Sequence, residues 1–189
     1  MTSMLNCISP IDGSVFASRP IMAVEAAFAA VARARAAQKH WAKCPLEERI
    51  ALVKAGVAAL NAMKDDVVPE LAHMMGRPVR YGGEFGGVNE RTNYMADIAA
   101  RALAPITVED SRQFKRYIAM EPQGVVFVVA PWNYPYLTAI NTIAPALIAG
   151  NSVVIKHATQ TLLVGERLVR AFPKMCSKTC FWITPEPRR

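Results

Sequence analysis

The chain has 189 residues, of which 52% are hydrophobic, 20% are charged and 8% are aromatic. This balance is typical of a globular protein with a buried core, and the 10 glycines, 13 prolines and 4 cysteines exclude collagen-like, mucin-like and disulfide-scaffold classes. The net charge is +7, but outside residues 173–189 the basic residues are scattered singly, often beside acids, so no nucleic-acid partner is expected.

Neither a membrane span nor a secretory signal is expected. The most apolar run, residues 125–130, is far shorter than the roughly 18 residues that a spanning helix needs. The N-terminal residues lack a basic segment followed by an apolar one. The cysteines, Cys7, Cys44, Cys176 and Cys180, show no framework spacing, so reduced thiols and a cytoplasmic location are predicted.

The first half of the chain predicts a hairpin followed by four Ala-rich helices. Asp12-Gly13 suits a tight turn between two short extended runs. A long helix then follows Pro20 and ends near Trp41, with its apolar stripe predicted at Val24, Phe28 and Val31.

Proline and glycine positions mark the bounds of the next three helices. Pro45 at a first helical position opens the second helix, and Gly76 stops the third. A fourth helix is predicted after the glycine cluster at 82–87 and continues to about residue 102.

The pattern changes near residue 114, where strands begin. Residues 114–120 predict an extended segment, and residues 125–130 form an apolar run typical of a central strand with both faces covered. A helix from about Tyr136 ends at Gly150, a second buried strand covers residues 153–155, and a helix runs from about Thr161 to Phe172. This order is a βαβα unit, so the predicted fold class is α/β, with a helical N-terminal layer and the first part of a Rossmann-like parallel sheet.

Asn133 is the first candidate site residue, because it directly follows the apolar strand. Ligands in open α/β sheets bind at the carboxyl ends of the strands. A neutral amide there can donate an N–H to a developing oxyanion without adding a charge. The competing interpretation is an ordinary turn asparagine between Pro131 and Pro135.

Lys156 is the second candidate, at the carboxyl end of the second buried strand. A cation there can reach a ribose or phosphate of a nucleotide, but a solvated strand-end lysine would give the same pattern. No glycine-rich phosphate loop is present in the sequence. The histidines, at positions 40, 73 and 157, have no metal-ligand spacing, so no metal site is predicted.

Three segments together resemble the aldehyde dehydrogenase superfamily. They are Glu121-Pro122-Gln123-Gly124-Val125, Ala130-Pro131-Trp132-Asn133-Tyr134-Pro135, and the run from Pro145 to Lys156 that contains Ala149-Gly150-Asn151-Ser152. Met75-Gly76-Arg77-Pro78, with Glu84 further on, is also similar to that family. The resemblance covers about residues 5 to 172.

The resemblance implies a chain that binds NAD or NADP and takes part in oxidising an aldehyde substrate. Asn133 matches the family's oxyanion-stabilising asparagine, and Lys156 matches the lysine that contacts the adenosine ribose. The positions that line the cofactor match Val129, Ala130, Pro131 and Trp132. By the same resemblance, residues 1–113 are the hairpin and helices of the coenzyme-binding domain, residues 114–122 an oligomerisation-type strand segment, and residues 123–172 the start of the NAD(P)-binding sheet.

Two departures from the family pattern matter. Thr159 stands where many members have the glutamate that binds the ribose 2′-hydroxyl, so NADP can be accepted as well as NAD. The family's catalytic cysteine and general-base glutamate lie beyond the end of this chain, and none of its four cysteines has a matching context.

Residues 173–189 do not resemble the family, and we interpret them as an aberrant tail. A shifted reading frame near Phe172 would restore an apolar strand, which makes a frameshift our hypothesis for this N-terminal fragment. In the chain as it stands, the parallel sheet is expected to have only about two strands and an exposed apolar edge. The predicted function is an aldehyde dehydrogenase part that is inactive alone. The alternatives are a non-catalytic truncated subunit that associates with a full-length homologue or forms a homo-oligomer, and no function at all.

Overall fold

The fold is described from a computed structural model, which covers residues 4–172 and the strand at residues 181–183. The chain begins with the predicted hairpin. Strands β1 (Met4–Ile8) and β2 (Val15–Pro20) pair antiparallel. At the turn, the Asp12 carboxylate accepts hydrogen bonds from the backbone N–H and hydroxyl of Ser14, and Gly13 adopts a φ of 72° that favours glycine.

Four helices follow, as predicted: α1 (Val24–Trp41), α2 (Leu46–Ala62), α3 (Lys64–Met75) and α4 (Phe85–Ala102). Pro45 precedes the first residue of α2, one position earlier than predicted. Gly76 ends α3 in a left-handed conformation. Helix α4 begins within the glycine cluster rather than after it. Gly87, in its first turn, lies against α5, where a Cβ would come within 2.9 Å of Leu137 Cδ1. A short 3₁₀ turn, Val79–Tyr81, precedes this cluster.

The buried face of α1 differs from the prediction. Val24, Phe28 and Val31 are exposed, Phe28 by 71%, whereas the face against the core carries Ala30, Ala34, Ala37 and Trp41. Small alanine side chains let α1 approach its neighbours closely, so the larger residues remain on the outer side. Hydrophobic periodicity predicted the helix correctly but selected the wrong face.

Along the chain, a second antiparallel pair comes between the four helices and the parallel sheet. Strand β4 (Lys115–Ile118) falls in the segment that the sequence predicts to be extended, and its partner β3 (Ile106–Asp110) is not predicted. Most of the apolar side chains in this hairpin are exposed.

The remaining elements form the predicted α/β unit: β5 (Val125–Val129), α5 (Pro135–Ile148), β6 (Ser152–Lys156), a 3₁₀ turn (Thr159–Thr161), α6 (Val164–Ala171) and β7 (Phe181–Ile183). The sheet order is β5-β6-β7, and both pairs are parallel. The expectation of two strands is therefore wrong, because β7 adds a third strand within the segment that we interpreted as an aberrant tail.

Strand β5 is also not the fully covered central strand that its apolar run predicts. It is an edge strand of the described sheet, and Phe127 and Val129 on one face are 61% and 65% exposed. Strand β6 lies between its neighbours and is buried from Ser152 to Ile155. Helix α1 covers β6 more than β5, which explains why the outer face of β5 is open.

Helix α5 lies at the centre of the core. Tyr136, Ile140, Ile143 and Leu147 are fully or almost fully buried, and α5 contacts α4, α2 and both of its flanking strands. None of the helices in the described part of the chain has the length and apolar character that crossing a bilayer requires.

Candidate functional site

The segment between β5 and α5, residues 130–134, holds the predicted oxyanion residue. Ala130 is buried, and its N–H donates to the carbonyl of Lys156 at 2.9 Å, which continues the pairing of the two strands. Pro131, Trp132, Asn133 and Tyr134 are exposed. The chain therefore leaves the sheet at its carboxyl edge, where parallel α/β sheets bind their ligands.

Asn133 has a defined side-chain orientation at this edge. Its Oδ1 accepts a hydrogen bond from the backbone N–H of Tyr134 at 3.0 Å. The carbonyl end of the amide is thereby used within the loop, and the NH₂ end is the end that can donate outwards. An amide NH₂ group is a donor of the kind that can stabilise an oxyanion.

Arg77 joins this loop to the helical layer. Its Nη1 lies 2.6 Å from Glu84 Oε1, its Nη2 donates to the backbone carbonyl of Asn133 at 2.7 Å, and its guanidinium lies over the ring of Tyr134, 4.9 Å from the centroid. The planar guanidinium of Arg77 therefore contacts both Asn133 and Tyr134, the two residues directly before α5.

Glu84 holds the first turn of α5. Its Oε2 accepts the backbone N–H groups of Tyr136 and Leu137 at 3.0 and 2.6 Å. The Glu84 side chain is only 2% exposed. Burial raises the pKa of its carboxyl group, although the hydrogen bonds from Leu137, Arg77 and Tyr136 act in the opposite direction.

This pKa shift predicts how Glu84 changes stability with pH. A raised pKa means that the native state binds the proton more tightly than the unfolded chain does. The contribution of Glu84 to the free energy of unfolding is therefore greatest below about pH 4.3, the usual pKa of glutamate, and falls as the pH rises through the native pKa. We expect the difference in unfolding free energy between the wild type and Glu84→Gln to decrease with rising pH across that window. Urea unfolding at several pH values measures it; a difference that grows with pH would mean a lowered pKa.

Lys156 lies beside the loop, as predicted. It ends β6, its Cα pairs with Val129 across the strands, and it is partly exposed. With Phe127, Val154 and the outer residues of α1, it lines an open pocket of about 310 Å³. The structure thus brings Val129, Ala130, Pro131, Trp132, Asn133 and Lys156 to one edge of the sheet.

A second pocket, of about 380 Å³, includes Tyr134 of the same loop. It is lined by Arg77, Tyr81, Glu84, Tyr134, Leu137 and the glycines at 82, 83, 86 and 87. Gly86 and Gly87, the second and third residues of α4, have no side chains that could fill this space next to Tyr134.

The residues present fit a dinucleotide cofactor, with one restriction. The Lys156 ammonium group and the exposed Val129 and Trp132 offer a cation and apolar contacts at the carboxyl edge. The N-terminus of α5, however, is not available to a phosphate group, because the Glu84 carboxylate already accepts its N–H groups. This agrees with the absence of a glycine-rich phosphate loop from the sequence.

Other candidate groups do not form a site within residues 4–172. No group of three or more His, Cys, Asp or Glu side chains there could hold a metal ion. Cys7 is 1% exposed, and burial raises the pKa of its thiol, which disfavours the thiolate. Cys176 and Cys180 lie outside the described residues.

Sequence reasoning missed the roles of Arg77 and Glu84. Both stand in segments that resemble the family, but their partners in the Asn133 loop and in α5 are more than fifty residues away along the chain. The available signal was a single carboxylate within a glycine cluster, which does not indicate which helix it contacts.

The family model described as Aldehyde dehydrogenase family matches residues 1–177. This chain belongs to the aldehyde dehydrogenase family. The match confirms the resemblance, and it begins four residues before and ends five residues after the predicted range of about residues 5 to 172.

Relatives in this family use either cofactor. The chain is 36% identical over 146 residues to a protein named putative succinate-semialdehyde dehydrogenase [NADP(+)] from Mycolicibacterium smegmatis. The matched region covers 75% of this chain and 28% of the relative. It is 31% identical over 169 residues to benzaldehyde dehydrogenase [NAD(+)] of Pseudomonas putida, covering 87% and 34%.

Solved aldehyde dehydrogenase structures share the fold. The NADP-dependent glyceraldehyde-3-phosphate dehydrogenase from Bacillus halodurans C-125, complexed with NADP, matches with a TM-score of 0.85 and 30% identity, over 98% of this chain and 40% of that one. The chain therefore spans about a third of the length of the curated relatives, and its architecture is part of the aldehyde dehydrogenase fold.

Proposed function

We propose that this chain forms the N-terminal part of the coenzyme-binding domain of an NAD(P)-dependent aldehyde dehydrogenase, which oxidises an aldehyde to a carboxylic acid. The observation that carries the proposal is the register of β5 and β6, in which Lys156 lies beside Val129. Val129 is the last residue of β5, and the loop that contains Asn133 follows it. Family membership supports the same assignment. The thiols and the absence of a membrane-spanning helix from the described residues are compatible with the cytoplasmic location that we propose.

Each site residue then has a physical task. The NH₂ of Asn133 donates to the aldehyde oxygen as negative charge develops on it. Lys156 binds the ribose or phosphate of the cofactor, and Val129, Ala130, Pro131 and Trp132 form the wall against which the cofactor lies. When bound, NAD or NADP supplies the acceptor for the hydride that leaves the aldehyde carbon. With threonine rather than glutamate at position 159, no carboxylate at this position repels a 2′-phosphate.

We expect Lys156→Met to weaken the binding of NAD and NADP by about tenfold, because a hydrogen bond to a charged group is lost while the apolar stem is kept. Isothermal titration of the chain with each dinucleotide measures this effect. Lys115→Met is the matched control, since Lys115 is also a lysine at a strand end but lies in the β3–β4 hairpin. Equal affinities in the wild type and Lys156→Met would contradict the proposed role.

The chain alone should not oxidise aldehydes. Cys7 is buried as a thiol, and no cysteine of this chain has the context of the family nucleophile. We expect no NAD(P)H formation from succinate semialdehyde or benzaldehyde above the rate without protein. A full-length family member run in parallel shows that the assay works. Turnover that follows the purified chain through successive columns would overturn this expectation.

One structural feature favours a second function, association with a full-length homologue. Strand β5 has an open edge and exposes Phe127 and Val129, and such edges pair readily with other chains. The match covers only about a third of the length of these relatives, so about two thirds of a full-length relative lies outside it. We propose that this unmatched part includes the segment that pairs with β5. Residues 114–122, with exposed Phe114, Tyr117 and Ile118, are the proposed oligomerisation segment.

Co-expression with a tagged full-length relative tests this second function. We expect the chain to be retained with the tagged protein, and Phe127→Asp to abolish the retention while Phe28→Asp, at the exposed face of α1, reduces it less. If the chain is never retained, association with a homologue is wrong.

A further inference from the structure

Helix α5 begins without a cap of its own. Tyr134, the residue before its first helical position, makes no side-chain capping bond, and Pro135 at the start has no N–H to satisfy. The next two N–H groups, of Tyr136 and Leu137, are buried or partly buried and donate to Glu84, which precedes α4. Glu84 therefore acts as a distant N-terminal cap, and its negative charge faces the positive end of the helix dipole.

Arg77 extends this cap to the loop. Through one guanidinium group it contacts the Glu84 carboxylate, the carbonyl of Asn133 and the ring of Tyr134. The Asn133 side chain is in turn held by the N–H of Tyr134. Backbone and side chain of Asn133 are thus both fixed relative to α5 through contacts that begin at Arg77 and Glu84.

Stability does not explain why a charged pair is placed here. The two side chains are 13% and 2% exposed, and a buried ion pair is on average no more stabilising than apolar residues of the same volume. Such a pair does, however, impose directions, because each of its hydrogen bonds has a defined geometry. The buried carboxylate and the guanidinium together make four such bonds to the loop and the helix start or to each other.

We propose that Arg77 and Glu84 are positioning residues that fix the Asn133 amide at the start of α5 in the orientation that oxyanion stabilisation needs. This rests on the proposed function of Asn133. Neither Arg77 nor Glu84 touches the reacting atoms, and each acts through the loop.

Nuclear magnetic resonance of the ¹⁵N-labelled chain tests this inference without any cofactor or substrate. Glu84→Gln keeps the shape of the side chain but removes its charge. We expect hydrogen exchange at the Tyr136 and Leu137 amides to accelerate about tenfold, because the neutral amide oxygen of glutamine is a weaker acceptor than the carboxylate. The side-chain NH₂ signals of Asn133 should shift and broaden, while signals from the β1–β2 hairpin remain in place.

Arg77→Lys separates the contact with the Glu84 carboxylate from the contact with the Asn133 carbonyl. Lysine keeps the positive charge near Glu84 but cannot make the forked contact with both Glu84 and the carbonyl of Asn133. We expect the Asn133 signals to shift as in Glu84→Gln, with exchange at Tyr136 and Leu137 changed less than threefold. This variant also decides the matter if Glu84→Gln does not fold.

Glu166→Gln is the matched control, because it removes the bidentate pair of Glu166 with Arg19 on the exposed surface. It should leave the Asn133 signals at their wild-type positions. Unchanged Asn133 signals in Arg77→Lys, or changes spread evenly over the chain as global destabilisation would give, overturn the proposal. Failure of cofactor binding in the Lys156 experiment would instead count against the proposed function, since these spectra are recorded on the free chain.

Discussion

Replacing Trp41 with alanine should lower the free energy of unfolding by about 3–5 kcal/mol, the range for removing a large buried aromatic side chain. Trp41 is fully buried at the end of α1, and its indole N–H donates to the carbonyl of Leu147 at 2.8 Å. The variant loses the apolar contacts and a hydrogen bond to the last turn of α5. Urea unfolding followed by circular dichroism measures the loss.

Two other tryptophan variants make this prediction specific. Trp132→Ala removes a side chain that is 48% exposed in the loop after β5, and we expect it to change the unfolding free energy by less than about 1 kcal/mol. Trp41→Phe keeps most of the apolar volume and should recover more than half of the loss. Equal effects of Trp41→Ala and Trp132→Ala would contradict the assigned burial of Trp41.

The end of α5 shows why Trp41 has so large an expected effect. Three side chains from α1 and α2 hydrogen bond to the last carbonyls of α5: Trp41 to Leu147, Arg49 to Ile148, and Gln38 to Gly150 just after the helix. The last carbonyls of a helix lack the backbone partners four residues on that the others have, and a cation near them also interacts favourably with the helix dipole. Burial lowers the pKa of Arg49, so this contact is made by a guanidinium that is partly desolvated.

Both ends of α5 are therefore held by charged or polar side chains from the N-terminal helical layer. Glu84 and Arg77 hold its beginning, and Arg49 is among the residues that hold its end. The helical layer does more than cover the sheet, because it fixes the helix that starts at the Asn133 loop.

Local features of the structure were predictable from the sequence where one residue type determines the backbone. The Asp12-Gly13 turn, the end of α3 at Gly76 and the strand at 125–129 were predicted correctly. The positions of Asn133 and Lys156 at one sheet edge also followed, since parallel strands in a βαβ unit bring their carboxyl ends together.

Features that depend on distant contacts were not predictable. The pattern at Val24, Phe28 and Val31 favoured a buried face that is in fact exposed, because periodicity does not reveal that alanines make the closer contact. The hydrogen bonds of Arg77 and Glu84 join segments more than fifty residues apart. The exposure of Phe127 depends on which elements cover β5, which its own apolar run does not encode.

Gly56→Ala should destabilise the chain by about 1–3 kcal/mol, although alanine normally favours a helix over glycine by about 1 kcal/mol. Gly56 lies within α2 against Phe172, and a Cβ there would come within 2.1 Å of the Phe172 ring. Because Phe172 is only 1% exposed, the ring cannot rotate into solvent to make room. Thermal or urea unfolding of the variant measures the cost.

Gly86→Ala is the matched control, because Gly86 is also helical but a Cβ at this position meets nothing within 4 Å. We expect it to leave stability unchanged or to raise it by up to about 1 kcal/mol. The double variant Gly56→Ala with Phe172→Leu should recover part of the loss, since the smaller side chain relieves the contact. If Gly56→Ala stabilises the chain as Gly86→Ala does, α2 and the end of α6 do not pack as closely as the structure indicates. The assigned contact between Gly56 and the Phe172 ring would then be wrong.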